Sequence, residues 1–229
     1  MMLVSSQTTI PVPRLRKYVL HESELWIFME YIEGRTLEEA WDTLGITMKL
    51  WVAWTLRGYI RQLRLIPIPT PRVPGPTDGS GKPLRCKGHF FPEIGAGPFA
   101  SYADLSAWYT RRADRAVRLD YEWSKYRGKT PSLSHSSLHF DDSEPLVLTH
   151  GDISLRNIIL GKDGRLWLID WGWAGVYPQW LEYGSMMMYT ERSGLKPRLW
   201  FWLVPFMAGW YRSQYRFLRA LDHALTFYD

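Results

Sequence analysis

One continuous stretch of this chain constrains its fold more than any other. Leu146-Val147-Leu148 is a short apolar run with β propensity, and it leads into His150-Gly151-Asp152. Asn157-Ile158-Ile159-Leu160 is a second run, and Gly161-Lys162-Asp163-Gly164 has the composition of a tight turn. Arg165-Leu166-Trp167-Leu168-Ile169 then returns as a strand. The stretch therefore predicts a strand, a loop and a β-hairpin.

The predicted hairpin brings chemically useful side chains together. Asn157 precedes its first strand and Asp170 follows its second, so both are expected at the same end, with Asp152 on the loop before them. Phosphoryl transfer from a nucleotide needs one carboxylate to orient the acceptor hydroxyl, and an amide oxygen and a second carboxylate to hold magnesium. The spacing from Asp152 to Asn157 is also that of the Asp-x-x-x-x-Asn catalytic loop of kinases.

The full set of motifs resembles the aminoglycoside phosphotransferase and choline kinase-like family, most closely the branch that is common in filamentous fungi. The residues that carry the resemblance are 148–153, 157–158, 168–175 and 177–178 around the hairpin, and 10–13, 29–34 and 97–99 with Ser101 and Trp108 elsewhere. The resemblance thus covers most of the chain.

Carried over residue by residue, the resemblance implies an ATP-dependent small-molecule kinase. Asp152 would be the catalytic base, and Asn157 and Asp170 would bind Mg²⁺. The phosphoryl acceptor would be a hydroxyl group of a small molecule.

The same resemblance implies supporting roles for two groups of residues. His150 would be structural and would tie the loop to the segment around Asp170. Gly151, beside it, allows backbone angles that a residue with a Cβ resists. The backbone of Glu30, Tyr31 and Ile32 would form the hinge that contacts the adenine of ATP.

The implied fold is α+β and protein-kinase-like, with a truncated amino-terminal lobe and a mainly helical carboxy-terminal lobe. Residues 1–33 would be the remnant of the amino-terminal lobe with the hinge, and residues 34–229 the lobe with the catalytic loop. A kinase also needs a Gly-rich hairpin, a strand Lys and a helix Glu. These should precede Ile10, but no Gly, Lys or Glu stands among residues 1–9, and Lys17 comes too late to substitute.

Two functions therefore stay open. The parent function is ATP-dependent phosphoryl transfer to a hydroxyl of a small molecule, and this form either keeps that activity or is a catalytically inactive kinase-like remnant. The second alternative includes a binding protein and a non-functional fragment.

The composition of the chain limits which binding partners and which cellular compartment we expect for the protein. The net charge is +5, but the Arg residues are scattered and no nucleic-acid motif is visible, so no nucleic-acid partner is expected. The single Cys86 excludes an internal disulfide and suits a reducing compartment. The start shows no signal-peptide pattern, and the apolar run 199–210 is short and contains Pro205. We therefore expect a cytoplasmic protein without a membrane span, and the oligomeric state stays open.

Local patterns predict elements before the catalytic stretch. Residues 16–20 and 25–29 are predicted to form two strands joined by a turn. Thr36-Leu37-Glu38-Glu39 has the spacing of a capping box, which starts a helix. A second helix is predicted from Met48 to Leu65. Its expected apolar face consists of Leu50, Ala53, Trp54 and Ile60.

A long loop and a long helix are predicted next. Residues 67–98 hold more than half of the 15 Pro residues and must form a loop. A segment of this length without regular structure in a compact domain is often functional. Ser101-Tyr102-Ala103-Asp104 should cap a helix that runs towards Arg127.

Two further features concern the acceptor. Trp171, Trp173 and Trp180 either shape an acceptor pocket or pack in the core. Glu182 lies near the place where members of the family often have acidic residues that contact the acceptor.

Overall fold

The computed structural model describes residues 1–22, 24–68, 70, 72–78, 80–192 and 198–226. In chain order its elements are α1 (Met2–Gln7), β1 (Leu15–His21), β2 (Glu24–Met29), β3 (Gly34–Thr36), α2 (Leu37–Ala40), α3 (Ile46–Leu65), α4 (Tyr102–Tyr126), β4 (Leu146–Thr149), β5 (Ile158–Gly161), β6 (Leu166–Leu168), β7 (Gly175–Pro178), α5 (Trp180–Arg192), α6 (Arg198–Ala208) and α7 (Arg212–Thr226). The predicted α+β class is confirmed, with a small amino-terminal sheet and a mainly helical remainder.

The amino-terminal sheet is a hairpin of β1 and β2. The strands are antiparallel, and over the described residues they pair with each other and with no third strand. The sheet leaves apolar side chains in solvent, since Trp26 is 53% exposed and Phe28 is 50% exposed. Both predicted strands are confirmed.

The capping box is present at the start of α2. The Thr36 hydroxyl accepts the backbone N–H of Glu39 at 3.2 Å, and the Glu39 carboxylate accepts the backbone N–H of Thr36 at 3.1 Å. Because Thr36 is both the last residue of β3 and the cap of α2, the strand leads into the helix without a connecting loop.

Helix α3 begins two residues before the predicted start, and its predicted apolar face is partly wrong. Ala53 and Ile60 are buried, but Leu50 is 49% and Trp54 is 69% exposed. The helix is apolar around much of its circumference, and contacts with α6 and β4 determine which side is buried. The buried side consists of Val52, Ala53, Leu56, Tyr59, Ile60 and Leu63. Trp54 instead lies at the surface, with its ring centroid 6.0 Å from that of Phe206.

Helix α4 begins and ends as predicted. The Ser101 hydroxyl accepts the backbone N–H of Asp104 at 3.1 Å, and the helix runs to Tyr126. Its apolar face packs against α7 and against the loop 67–98 in a second core cluster that includes the buried Cys86. The loop has no helix or strand in its described part, as predicted.

Two small sheets lie in the part of the fold that carries Asp152, Asn157 and Asp170. Strands β5 and β6 form the predicted hairpin, and β3 pairs with the outer edge of β5. Strand β4 pairs antiparallel with β7, a strand that the sequence did not predict. Helix α5 follows β7, and its buried Glu182 bonds the loop that follows β4.

Helix α6 covers part of the apolar run 199–210. Trp200 is buried and pairs edge-on with Trp41, but Trp202 is 72% exposed. Only one face of this helix is therefore buried. Across the described residues, no helix combines the length and the apolar character that a membrane crossing requires.

Candidate active site

His150 is buried and joins two segments of the candidate site. Its Nε2 lies 3.0 Å from the carbonyl oxygen of Ile169, and its Nδ1 lies 3.2 Å from the backbone nitrogen of Asp152. A carbonyl only accepts and a backbone N–H only donates, so the proton sits on Nε2 and the ring is neutral. Burial agrees with this, because it lowers the pKa of His150 to about 4. His150 thus connects the loop of Asp152 to the residue before Asp170.

Gly151 has a backbone conformation that requires glycine. Its φ is +79°, and an added Cβ would lie 2.6 Å from the carbonyl oxygen of Trp173. The close contact between residues 151 and 173 therefore depends on the missing side chain.

Glu182 on α5 holds the loop that contains His150 and Gly151 through backbone hydrogen bonds. The buried carboxylate accepts the backbone N–H of His150 at 2.6 Å and that of Gly151 at 3.2 Å. Burial raises the pKa of Glu182 to about 7, although the two N–H groups act in the opposite direction. Its carboxylate is buried and bonded to the loop, whereas the suggested contact between Glu182 and an acceptor stays a prediction.

Asp152 is a buried carboxylate with donors on both oxygens. Oδ2 accepts from Arg156 at 2.7 Å and from the amide of Asn157 at 2.8 Å, and Oδ1 lies 3.3 Å from Nε2 of His89. Burial alone would raise its pKa, but hydrogen bonds from His89 and Arg156 outweigh burial and lower it. Asp152 is therefore an ionised acceptor at neutral pH.

Asn157 and Asp170 meet at one end of the hairpin, as the turn between them predicted. The backbone N–H of Ile169 donates to the carbonyl of Asn157 at 3.0 Å, which puts the next residue, Asp170, beside it. Asn157 uses its amide nitrogen to bond Asp152, so its amide oxygen is the atom left for a metal. Asp170 has a left-handed φ of +59° and an exposed side chain. Such a conformation is uncommon outside glycine and is found at functional sites.

This pair fits Mg²⁺ by its chemistry. Amide and carboxylate oxygens are hard ligands, and Mg²⁺ in nucleotide sites is often held by one or two protein groups together with phosphates and water. No group of three or more His, Cys, Asp or Glu side chains suited to a metal occurs within the described residues. The hairpin end is therefore suited to a metal that keeps its remaining positions for a nucleotide.

The hinge residues lie elsewhere, beside a cleft of about 580 Å³. Glu30, Tyr31 and Ile32 line it together with residues 8–12 and the turn of the β5–β6 hairpin. The residues found to line it do not include Asp152, Asn157 or Asp170. The structure thus brings the three catalytic-segment residues together, and places the hinge beside the opposite end of the same hairpin.

Two of the three tryptophans flank the loop. Trp171 lies against His150 with ring centroids 4.5 Å apart, and Trp173 lies edge-on to His89 at 4.6 Å. Trp180 is buried in the core, where its indole donates to the carbonyl of Asp141 at 2.9 Å. Of the two alternatives for these residues, core packing is confirmed for Trp180.

Sequence reasoning missed two partners of Asp152. Arg156 lies four residues along the chain, but Asp152 precedes the short helical turn at residues 155–157, so no helical spacing predicts their contact. His89 lies in the Pro-rich loop 67–98, and no local pattern links it to Asp152.

Solved structures of similar fold are aminoglycoside phosphotransferases. A thermostable mutant of APH(4)-Ia in its apo form has a TM-score of 0.54 and 17% identity, over 93% of this chain and 69% of that chain. A further variant of that protein, in a ternary complex with ADP and hygromycin B, has a TM-score of 0.54 and 17% identity, over 93% of this chain and 68% of that chain. Spectinomycin phosphotransferase APH(9)-Ia, in complex with ADP and spectinomycin, has a TM-score of 0.51 and 14% identity, over 98% of this chain and 67% of that chain. These likenesses define a kinase-like phosphotransferase fold.

The chain belongs to the phosphotransferase enzyme family, whose sequence model matches residues 1–220. None of the curated proteins matches the sequence significantly. The predicted family and the kinase-like fold are confirmed, whereas the fungal branch stays a prediction.

Proposed function

We propose that this chain is an ATP-dependent phosphotransferase that acts on a hydroxyl group of a small molecule. The observation that carries the proposal is the convergence of Asp152, Asn157 and Asp170 at one end of the β5–β6 hairpin. Membership of the phosphotransferase enzyme family supports it. The structurally similar proteins that bind ADP together with hygromycin B or spectinomycin agree with it.

Asp152 is proposed as the catalytic base. It is ionised, and donors on both oxygens hold it in place. A carboxylate in this state can orient an acceptor hydroxyl and accept its proton as the new phosphate ester forms. His150 and Glu182 act through the backbone, because they fix the loop that carries Asp152.

Asn157 and Asp170 are proposed to hold Mg²⁺ through the amide oxygen and the exposed carboxylate. When bound, Mg²⁺ would offset the negative charge of the phosphates. The backbone of Glu30, Tyr31 and Ile32 is proposed to contact adenine. In this assignment the cofactors are ATP and Mg²⁺.

The acceptor is proposed to be a small hydroxyl compound in the cytoplasm, and no nucleic acid or membrane takes part. Aminoglycosides, choline, homoserine and sugars are the acceptor types that the resemblance offers. Trp173 lies next to the catalytic loop, where it would form part of the acceptor side of the site.

A second candidate is binding without turnover. The observation that favours it is the apolar surface of the β1–β2 sheet, where Trp26 and Phe28 face solvent. An exposed sheet of this kind favours association with a partner. Under this alternative, ATP would bind no more tightly than the millimolar range, at about −4 kcal/mol.

A transfer assay on the purified chain separates the two candidates. The chain is incubated with Mg²⁺ and γ-labelled ATP against hygromycin B, spectinomycin, choline and homoserine in turn. Labelled acceptor, produced only with Mg²⁺, is the expected result. Calorimetry with ATP runs in parallel. Failure to label any of these acceptors, together with millimolar ATP binding, would favour the second candidate.

A further inference from the structure

The loop between α3 and α4 is fixed to the catalytic half of the protein. Gly75 pairs with Val176 of β7 through two backbone hydrogen bonds of 3.0 and 2.8 Å. Cys86 and Ala96 pair with each other through bonds of 2.8 and 2.9 Å. The residues between Cys86 and Ala96 therefore form a closed loop whose two ends are held together.

The middle of this closed loop is anchored in the core. The carbonyl of Phe90 accepts the hydroxyl of Tyr109 on α4 at 3.1 Å, and both side chains are buried. The ring centroid of Phe91 lies 5.6 Å from that of Tyr177 on β7. These contacts fix the backbone immediately after His89.

His89 extends from the anchored loop to Asp152. Its Nε2 lies 3.3 Å from Oδ1, and its side chain is only 11% exposed. Because an ionised carboxylate only accepts, the imidazole N–H must be the donor. The ring also meets Trp173 edge-on, at a centroid distance of 4.6 Å. Arg156 and Asn157 occupy Oδ2, so His89 is the donor to Oδ1 among the described residues.

We propose that His89 is a positioning residue for Asp152. The terminal torsion of an aspartate, about its Cβ–Cγ bond, is broad and roughly two-fold, so donors to one oxygen alone constrain it less than donors to both. A donor on each oxygen removes that freedom and fixes one lone pair of Oδ1 towards the place of an acceptor hydroxyl. The role of this positioning in catalysis rests on the proposed function, whereas the contact between His89 and Asp152 does not depend on it.

Two substitutions separate positioning from packing. His89→Gln keeps an N–H donor and loses the ring, and His89→Phe keeps a ring against Trp173 and loses the donor. Phosphate release from MgATP, with water as the acceptor, is measured for both. We expect kcat to fall about 10²-fold in His89→Phe with little change in the KM for MgATP, because misplacement of a reacting group costs about this much. His89→Gln should retain most of the rate. Equal losses in both variants, or a larger loss in His89→Gln, would overturn the proposal.

A spectroscopic measurement decides the contact without turnover. The full chain is labelled with ¹⁵N-histidine, and the resonances of His89 among the six imidazoles are assigned by their loss in His89→Gln. We expect a slowly exchanging proton on Nε2 whose resonance moves in Asp152→Asn. A proton on Nδ1 alone, or a resonance that Asp152→Asn leaves in place, would refute positioning. A chain that keeps this signature but transfers phosphate neither to water nor to any of the hydroxyl acceptors named above would instead refute the proposed function.

Discussion

Glu182 and His150 are joined inside the protein, where the backbone N–H of His150 donates to the Glu182 carboxylate at 2.6 Å. The same carboxylate also accepts the N–H of Gly151. One side chain of α5 thus satisfies two backbone donors of the loop that carries Asp152.

Removing this acceptor should destabilise the protein. Glu182→Ala leaves the buried N–H of His150 and the partly buried N–H of Gly151 without this acceptor, and we expect it to lower the free energy of unfolding by about 2–4 kcal/mol. Glu182→Gln keeps an acceptor oxygen and should lose less than half of that. Urea unfolding monitored by tryptophan fluorescence measures both variants. Equal stabilities of the two variants would show that Glu182 does not hold the loop.

The same carboxylate predicts a pH dependence. Its pKa is about 7 in the folded protein and 4.5 in the unfolded chain, so the folded state binds the proton more tightly. The contribution of Glu182 to stability is therefore full below pH 4.5 and is lost as the pH rises through 7. The free energy of unfolding of wild type minus that of Glu182→Gln should fall between pH 4.5 and 7, by an amount on the order of 3 kcal/mol. A difference that rises over this range would contradict the assignment.

The contribution of His150 to stability depends on pH with the opposite sign to that of Glu182. Its pKa is about 4 when folded and 6.5 when unfolded, so its contribution is present above pH 6.5 and is lost as the pH falls towards 4. The comparison of wild type with Glu182→Gln subtracts this effect, because both proteins contain His150.

Gly151 should not tolerate alanine. Its positive φ would cost a side chain about 1–2 kcal/mol, and contact with the carbonyl of Trp173 would add to that cost. Gly164, in the hairpin turn, is the matched control, since its φ is +76° and nothing lies within 4 Å of an added Cβ. We expect Gly151→Ala to destabilise the protein by at least about 2 kcal/mol more than Gly164→Ala. Equal losses in thermal unfolding would mean that the contact with Trp173 is not tight.

Asp170 should control metal affinity. Manganese relaxation is expected to show weak binding by wild type and its loss in Asp170→Ala, because the exposed carboxylate would be the charged ligand of the proposed pair. Asp163→Asn is the control, because it removes a carboxylate at the opposite end of the same hairpin. Binding that survives Asp170→Ala, or that disappears in Asp163→Asn, would place the metal elsewhere.

The elements that local rules determine were predictable from the sequence. The hairpin follows from a turn between two apolar runs, and the caps at Thr36 and Ser101 follow from hydroxyl groups three residues before a carboxylate. The juxtaposition of Asn157 and Asp170 then needs no information beyond the hairpin itself.

Contacts between distant segments were not predictable. His89 and Asp152 are 63 residues apart, and Glu182 is 32 residues from His150. Their pairing depends on how β7 and α5 pack against the catalytic loop. The buried face of α3 was misjudged at Trp54 for the same reason, since the position of α6 determines which side of the helix is covered.

The rate of Mg²⁺- and ATP-dependent phosphoryl transfer, compared between wild type and Asp152→Asn, tests the central claim most directly. Asparagine preserves the shape of the side chain and removes its ability to accept a proton. We expect Asp152→Asn to be about 10²–10⁴-fold slower than wild type, with ATP affinity unchanged. Equal rates, or no transfer by wild type to any hydroxyl compound, would contradict the claim that this loop is the active site of a phosphotransferase.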